Sequence, residues 1–349
     1  MNKRTGPASV AGFAAVLMAA AMLAAVLPGT ARAEFKSWVL AQFDDTPEGL
    51  GVDSEGNVYA ALFHTGRIMK IAPDGKSELV AYVPSKEDAA KGSTVGLDLD
   101  KNGNIYVAFH QHSKRYEATN LVDPFHTACR DATVTLSGVY KIDARTHAVT
   151  ALATRGDGWP FCFPDDVEID RQGNVYLTDL TFSAIWKISP DGKKVDLWSA
   201  HRLLNWNTPP SSGFPLGVNV LVMDAAEKNL YAATDGDPMV LKFPIKADGS
   251  AGESVVISRG HSPFDGIALD DKGNIYVSEI LRNELWVLSP DGSDRRLVAD
   301  RRNAPLDNNT SLIWHDGKVC TANLGFTHRS YKEADRTVAC VSGFGTFEK

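Results

Sequence analysis

The sequence predicts an all-β protein built as a six-bladed β-propeller. Three observations indicate this fold: a repeat recurring at a spacing of about 45 residues, hairpin turns inside each repeat, and no long helical pattern beyond the first 33 residues. The repeat is an Asp-x-x-Gly-Asn turn followed by a short β-rich run. Its six copies, including a longer fourth form and a shortened last one, begin at Asp53, Asp100, Asp170, Asp224, Asp270 and Trp314.

Each repeat predicts four antiparallel strands. A short apolar run comes first, and the Asp-x-x-Gly-Asn turn then suits a tight hairpin. Asp can bond the backbone ahead of it, and Gly or Asn accepts the left-handed conformation that such a turn requires. A second β-rich strand, a third strand and a Pro-Asp-Gly turn to a fourth strand follow, as in residues 175–198. Four strands linked by hairpins form one propeller blade.

The ring is expected to close through the beginning of the mature chain. The last repeat supplies three strands, and residues 35–43 form a strand without a repeat of their own. Pairing that strand as the outer strand of the last blade would leave no open sheet edge. The longer interval between the second and third turns predicts an insertion at about residues 111–136.

The first 33 residues predict a secretory signal peptide. Lys3 and Arg4 precede an apolar run over residues 10–27, and an Ala-Arg-Ala cleavage pattern ends at residue 33. An uncleaved membrane anchor is the alternative, because the run is almost long enough to span a bilayer. We expect residues 34–349 to form a single propeller domain, exported to the periplasm or secreted, without stable membrane insertion.

Composition and charge restrict the class of partner. The 349 residues are 44% hydrophobic with a net charge of −7. This composition excludes a disordered chain, and the charge argues against a nucleic-acid partner because such proteins usually carry a basic patch. No serine-hydrolase elbow, Walker loop or dinucleotide fingerprint occurs in the sequence. We expect a monomer that acts on a small molecule.

Four cysteines in the exported part of the chain predict two disulfides. Cys320 and Cys340 fall on neighbouring strands of the last blade, which favours their pairing. Cys129 and Cys162 then pair by elimination, and this bond would tether the insertion to the start of blade three.

A ring of polar side chains is expected at the mouth of the central channel, where the innermost strands start. The residues five positions before each turn are Glu48, Val95, Asp165, Asn219, Asp265 and, in the shortened sixth repeat, Asn309. Three carboxylates placed together repel one another unless a cation or shared protons relieve them. Oxygen donors without His or Cys suit calcium, magnesium or manganese. The alternative is that these side chains cap strands by bonding backbone amides.

The short motifs around these positions resemble those of the senescence-marker-protein, or gluconolactonase, family of six-bladed, calcium-dependent propellers, which includes regucalcin-like lactonases. The motifs are Pro-Glu-Gly at 47–49, Pro-Asp-Asp at 164–166, Gly-Val-Asn at 217–219 and Phe-Asp-Gly at 264–266. The resemblance implies metal ligands at Glu48, Asn219 and Asp265. Asp165 stands where the family often has Asn, and the family's substrate-binding Arg has no clear counterpart.

The resemblance implies a metal-dependent hydrolase that opens a lactone or related ester by water attack. The implied cofactor is a divalent metal, calcium first, with magnesium, manganese or zinc as alternatives. Asp265 would be the general base, with Asp166 as the alternative base, while Asp165 would complete the metal shell or orient the water. The candidate substrate-binding residues are Asn309, His110 and His112.

Two other functions stay open from the sequence. The repeats also resemble NHL-type propellers, so the chain could bind a protein or small ligand without catalysis and use the ion for structure. Strictosidine-synthase-like chemistry shares the fold, but only the fold favours it. Oxygens of Glu48, Asn219 and Asp265 that converged on a space open to solvent would favour catalysis.

Overall fold

The structure is a computed structural model that describes residues 34–112, 134–205, 211, 216–325, 335–345 and 347. The predicted signal peptide, Cys129 and most of the predicted insertion lie outside these residues, so they stay predictions. Within the described ranges, no helix has the length and apolar character needed to cross a bilayer.

Six four-stranded antiparallel sheets confirm the predicted all-β, six-bladed propeller. The chain begins with β1 (Lys36–Gln42), which belongs to blade six. Blade one contains β2 (Pro47–Val52), β3 (Val58–Leu62), β4 (Arg67–Ile71) and β5 (Ser77–Tyr82). Blade two contains β6 (Gly92–Leu99), β7 (Ile105–Gln111), β8 (Gly138–Ile142) and β9 (Val149–Ala153). A short hairpin of β10 (Arg155–Gly156) and β11 (Trp159–Pro160) follows.

The other four-stranded sheets repeat this arrangement. Blade three contains β12 (Pro164–Ile169), β13 (Val175–Asp179), β14 (Ala184–Ile188) and β15 (Val195–Ser199). Blade four contains β16 (Val218–Met223), β17 (Asn229–Thr234), β18 (Met239–Pro244) and β19 (Val255–Arg259). Blade five contains β20 (Phe264–Leu269), β21 (Ile275–Glu279), β22 (Glu284–Leu288) and β23 (Arg295–Asp300). Short 3₁₀ helices occur at Ala89–Lys91 and Arg202–Leu204.

Blade six combines the two ends of the described chain. Its remaining strands are β24 (Asn309–His315), β25 (Lys318–Asn323) and β26 (Thr337–Ser342). The strand order is β1-β26-β25-β24, with β1 antiparallel to β26 at the outer edge. The innermost strand of each blade packs against that of the next, and β24 packs against β2.

The repeated turns form through side-chain to backbone hydrogen bonds. Asp270 Oδ1 accepts the backbone N–H groups of Lys272 at 2.9 Å and Asn274 at 2.8 Å. Its Oδ2 accepts Asn274 Nδ2 at 2.7 Å, and Gly273 has a φ of +81° that favours glycine. The same three bonds occur at the turns that begin at Asp53 and Asp100, and the two bonds from the Asn occur at the turn that begins at Asp170. These aspartates are therefore structural.

Cys320 and Cys340 form the predicted disulfide. They are directly paired in the register of β25 and β26, which brings their Cα atoms to 4.0 Å. Cys162 is fully buried, and none of the three described cysteines is free. Because Cys129 lies outside the described residues, the Cys129–Cys162 pairing stays a prediction.

Candidate functional site

A β-bulge interrupts every innermost strand near its start. In β2, for example, the register with β3 shifts between Pro47 and Leu50. A bulge inserts an extra residue and re-aims side chains, and bulges are common beside active sites. The six bulges contain Glu48, Val95, Asp165, Asn219, Asp265 and Thr310. We call these six residues the mouth ring.

Strand register gives the sixth place of the mouth ring to Thr310, which corrects the sequence-based choice of Asn309. β24 pairs Asn309 with Asn323 at the position that Pro47 occupies in β2, just before the bulge. Blade six has a shorter turn than the other blades. Counting five residues back from the start of that turn at Trp314 therefore reaches Asn309, one residue before Thr310. Asn309 Nδ2 donates to the backbone oxygen of Glu284 at 3.2 Å. A role for Asn309 in substrate binding stays a prediction.

Glycines that follow ring residues allow neighbouring blades to approach closely. A Cβ added at Gly49 would lie 2.2 Å from the backbone oxygen of Val95 in blade two. A Cβ added at Gly266 would lie 2.3 Å from the backbone oxygen of Thr310 in blade six. Both contacts are shorter than any side chain tolerates, so the Gly in the Pro-Glu-Gly and Phe-Asp-Gly motifs is required by packing between blades.

The three carboxyl groups of the mouth ring accept no hydrogen bond from the described residues. Glu48 and Asp165 are buried, at 8% and 7% exposure, whereas Asp265 is partly exposed. Buried carboxylates normally have hydrogen-bond donors or a counterion, because burying an unpaired charge is costly. Burying these carboxylates therefore requires a partner that the described residues do not provide.

Asn219 adds an unpaired amide oxygen to the same ring. Its Nδ2 donates to Asp235 Oδ2 at 3.1 Å, and both side chains are buried. Among the described residues, Asn219 Oδ1 and Asp235 Oδ1 have no hydrogen-bond partner. A buried polar atom without a partner costs about 1–3 kcal/mol, so these two oxygens are candidate donors to a ligand.

Burial and mutual repulsion raise the pKa values of the ring carboxyls. Burial, followed by the charges of Asp166 and Asp235, raises the pKa of Glu48 to about 8. The pKa of Asp165 is well above its usual value because of burial, then Glu48 and Asp265. The pKa of Asp265 is raised in the same way by burial, then by Asp235 and Glu48. A cation among them would offset the repulsion and favour the charged forms.

Asp166, the alternative base, is held by the backbone of the next blade. Its Oδ2 accepts the Leu221 N–H at 2.8 Å, across the boundary between blades three and four. Burial raises the pKa of Asp166 to about 7, although the Leu221 and Val167 amides lower it. This carboxylate links two blades, and Asp265 is the less constrained of the two candidate bases.

Two threonine hydroxyls fix the backbone of ring residues from neighbouring blades. Thr178 Oγ1 donates to the Asn219 carbonyl at 2.6 Å and accepts the Asp166 N–H at 2.8 Å. Thr310 Oγ1 donates to the Glu48 carbonyl at 2.9 Å. The sequence does not single out Thr178; the only signal is a polar residue within the apolar strand β13.

His110 and His112 lie at the end of β7 and just beyond it. His110 is 2% exposed and stacks on Phe163, with ring centroids 4.0 Å apart. Burial, together with His112, lowers the pKa of His110 well below its usual value, so the His110 imidazole is neutral at pH 7. His112 Nε2 lies 3.0 Å from Ser93 Oγ. Binding of substrate by either histidine stays a prediction.

The donor chemistry of the mouth ring fits a hard divalent cation. In the part of the chain that the structure describes, no group of three His, Cys, Asp or Glu side chains could hold a metal ion by itself. The candidate donors that remain are the carboxylates of Glu48 and Asp265 and the amide oxygen of Asn219, which has no hydrogen-bond partner among the described residues. Carboxylate and amide oxygens without nitrogen or sulfur are the ligands that calcium prefers.

The sequence has relatives in two groups of curated proteins. Strictosidine synthase-like 3 of Arabidopsis thaliana is 23% identical over 256 residues, which cover 66% of this chain and 58% of that protein. A gluconolactonase of Zymomonas mobilis is 20% identical over 196 residues, which cover 49% of this chain and 51% of that protein. The chain thus spans little more than half the length of either relative.

Solved structures and a family model agree with this fold. A gluconolactonase from Xanthomonas campestris superposes with a TM-score of 0.62 at 14% identity, over 88% of this chain and 89% of that one. Virginiamycin B lyase from Staphylococcus aureus gives a TM-score of 0.52 at 15% identity, over 84% and 83%. These likenesses concern the fold alone. The model of the SMP-30/gluconolactonase/LRE-like region matches residues 132–318, more than half of the sequence, and the chain therefore belongs to that family.

Proposed function

We propose that this protein is a metal-dependent hydrolase that opens a lactone or related ester. One observation supports the proposal most strongly: three ring carboxyls accept no hydrogen bond from the described residues, and their mutual repulsion raises the pKa values of Asp165 and Asp265. The Asn219 amide oxygen in the same ring also has no partner among the described residues. Such a group is costly to bury unless a bound cation or shared protons relieve it, and we propose the cation. The gluconolactonases among the relatives and structural neighbours support hydrolysis of a lactone as the reaction.

Glu48, Asn219 and Asp265 are the proposed cation ligands. Calcium is the first choice because all the donors are oxygens, and magnesium, manganese and zinc are the alternatives. Asp165 supplies a further oxygen donor or orients the attacking water. When bound, the cation polarises a lactone carbonyl and stabilises the negative charge that develops on its oxygen.

Asp265 is the proposed general base. Residue Asp265 is partly exposed, in contrast to the buried Glu48 and Asp165, and no described donor competes for its oxygens. Asp265 removes a proton from the water as the water oxygen bonds to the carbonyl carbon. The ring C–O bond then breaks, and the same proton returns to the departing oxygen, which yields a hydroxy acid.

The surroundings of the mouth ring suggest a small-molecule site in a monomeric, exported protein. Neutral His110, together with His112 and Asn309, is the proposed set that contacts the substrate. The buried disulfide Cys320–Cys340 supports an oxidising compartment, either the periplasm or the extracellular space. Neither a nucleic acid nor a membrane is part of the proposal.

Hydrolysis of a panel of lactones and esters, followed by proton release, tests the proposed activity. The protein is assayed after chelation, after addition of calcium, and as the Asp265→Asn variant. We expect turnover that chelation abolishes, that calcium restores, and that the variant loses. A well-folded, calcium-loaded protein that hydrolyses nothing in the panel would instead favour the non-catalytic binding propeller.

A further inference from the structure

Asp235 is a buried acidic residue to which the proposed mechanism gives no role. It directly follows β17 in blade four and is 3% exposed. Its Oδ2 accepts the Asn219 side-chain N–H at 3.1 Å. Strand register places Asp235 one residue beyond the polar residues that end the second strands of other blades, such as Asp179 and Glu279, because Thr234 takes their position in blade four.

The chemistry of this hydrogen bond determines which way the Asn219 amide faces. When Asp235 is ionised its carboxylate only accepts hydrogen bonds, so the NH₂ group must then face Asp235 and the oxygen must face away from it. The structure shows this arrangement, with Asn219 Oδ1 buried and unpaired. Without the carboxylate, the amide could turn over, because its nitrogen and oxygen have almost the same size and shape.

The backbone of Asn219 is already fixed by another group. Thr178 Oγ1 donates to the Asn219 carbonyl oxygen at 2.6 Å, from the neighbouring blade. The terminal amide of Asn219 can still rotate, and its hydrogen bond to Asp235 restrains that rotation. We propose that Asp235 is a positioning residue that keeps the amide oxygen of Asn219 directed at the cation site, an inference that rests on the proposed function.

Removing such an orienting partner commonly lowers metal affinity by about 10- to 100-fold. Asp235 also adds a negative charge near the site, and the loss of this charge alone would weaken a cation. The two effects separate when residues 219 and 235 are exchanged. In the Asn219→Asp, Asp235→Asn double variant, the hydrogen bond forms in reverse, and a symmetric carboxylate at 219 offers an oxygen in either orientation.

Calcium titration by calorimetry on the chelator-treated full protein tests the inference. Asp235→Asn should weaken calcium binding by about 10- to 100-fold. The exchanged double variant, which has the same net charge as the wild type, should bind within about 3-fold of the wild type. Asp179→Asn is the control: this buried carboxylate ends the second strand of blade three but accepts the Cys162 N–H at 2.7 Å instead of a ring side chain. It should change affinity by less than about 3-fold.

A second readout does not depend on calcium. In protein with ¹⁵N-labelled asparagine, the Asn219 side-chain amide should show one proton protected from exchange in the wild type and lose that protection in Asp235→Asn. An affinity unchanged in Asp235→Asn, or an exchanged variant as weak as Asp235→Asn, would overturn the positioning role. Wild-type protein that binds no calcium would overturn the proposed cation site itself, which is a separate result.

Discussion

The innermost strand of blade five has an aspartate near each end, and the two carboxylates differ in their hydrogen bonding. At the turn end, Asp270 accepts three hydrogen bonds from residues within its own turn. At the mouth end of the same strand, Asp265 accepts none from the described residues. The Asp270 carboxylate stabilises the hairpin that follows this strand, whereas the Asp265 carboxylate has no hydrogen-bond donor among the described residues.

The pKa values record the same difference. Although burial raises it, hydrogen bonds from Asn57 and Glu55 bring the pKa of the turn residue Asp53 below its usual value. At the mouth, burial and then neighbouring carboxylates raise the pKa of Glu48 to about 8. Acidic residues that lower stability yet persist in a buried cluster are typical of functional sites, where stability is traded for activity.

The largest expected effect follows from removing a mouth carboxylate. Asp265→Asn should lower the rate of lactone hydrolysis by at least about 100-fold, because it removes the base and replaces a charged cation ligand by a neutral one. The melting temperature of the chelated protein should stay the same or rise, since one repelling charge is gone. Assays of turnover and thermal unfolding on the same sample measure both effects. A variant that is fully active would contradict the catalytic role of Asp265. A chelated variant that is much less stable than the chelated wild type would show that Asp265 stabilises the fold, as the turn aspartates do.

The opposite result is expected at the turn end. Asp270→Ala should lower the free energy of unfolding by about 1–3 kcal/mol, because two backbone amides and the Asn274 side chain lose their acceptor. The calcium affinity of the folded variant should equal that of the wild type. Denaturant unfolding and calcium titration measure these two quantities. A loss of calcium affinity without a loss of stability would contradict the structural role of Asp270.

The pH dependence of stability should sharpen the comparison further. The unfolded state releases the Glu48 proton near pH 4.5, whereas the folded, metal-free state keeps it to about pH 8. The unfolded state therefore binds fewer protons in this range, and the stability of chelated protein should fall as the pH rises through it. Calcium should reduce this fall. Melting temperatures at pH 5 and pH 8, with chelator and with calcium, test the sign; a chelated protein that gains stability toward pH 8 would refute it.

The smallest expected effect concerns a cation beside a turn. Lys187 Nζ lies 3.8 Å from Asp170 Oδ2 and 4.9 Å from the centre of the Tyr176 ring. Lys187→Met should cost less than about 1 kcal/mol in denaturant unfolding, because such ion pairs and ring contacts contribute little beside backbone hydrogen bonds. A loss as large as that of Asp270→Ala would show that the turn carboxylates depend on ion pairing.

Local features were predictable from the sequence because they depend on residues close together in the chain. The turn that begins at Asp270 uses atoms from four neighbouring positions, and the same pattern identified the other turns. Counting back from the turns located five places of the mouth ring. The sixth count reached Asn309 instead of Thr310, since the shorter turn of blade six changes the register of its strands.

Contacts between blades were not predictable in this way. Thr178 bonds the backbone of Asn219 across a blade boundary, and Asp166 bonds the amide of Leu221 in the same manner. These contacts depend on how far one blade is shifted against the next, and no local pattern in the sequence encodes that shift. The orientation of the Asn219 amide by Asp235 depends in addition on a side-chain contact within blade four.

The central claim is that the mouth ring needs a divalent cation to relieve its carboxyl groups. The most direct test is calcium calorimetry at pH 7 in two buffers of different ionisation enthalpy, which counts the protons released on binding. The account predicts calcium binding with net proton release, because the pKa of Glu48 is about 8 before the cation arrives. It also predicts a smaller release in Glu48→Gln. Absence of calcium binding would contradict it. Calcium binding without proton release, in the wild type and in Glu48→Gln alike, would also contradict it.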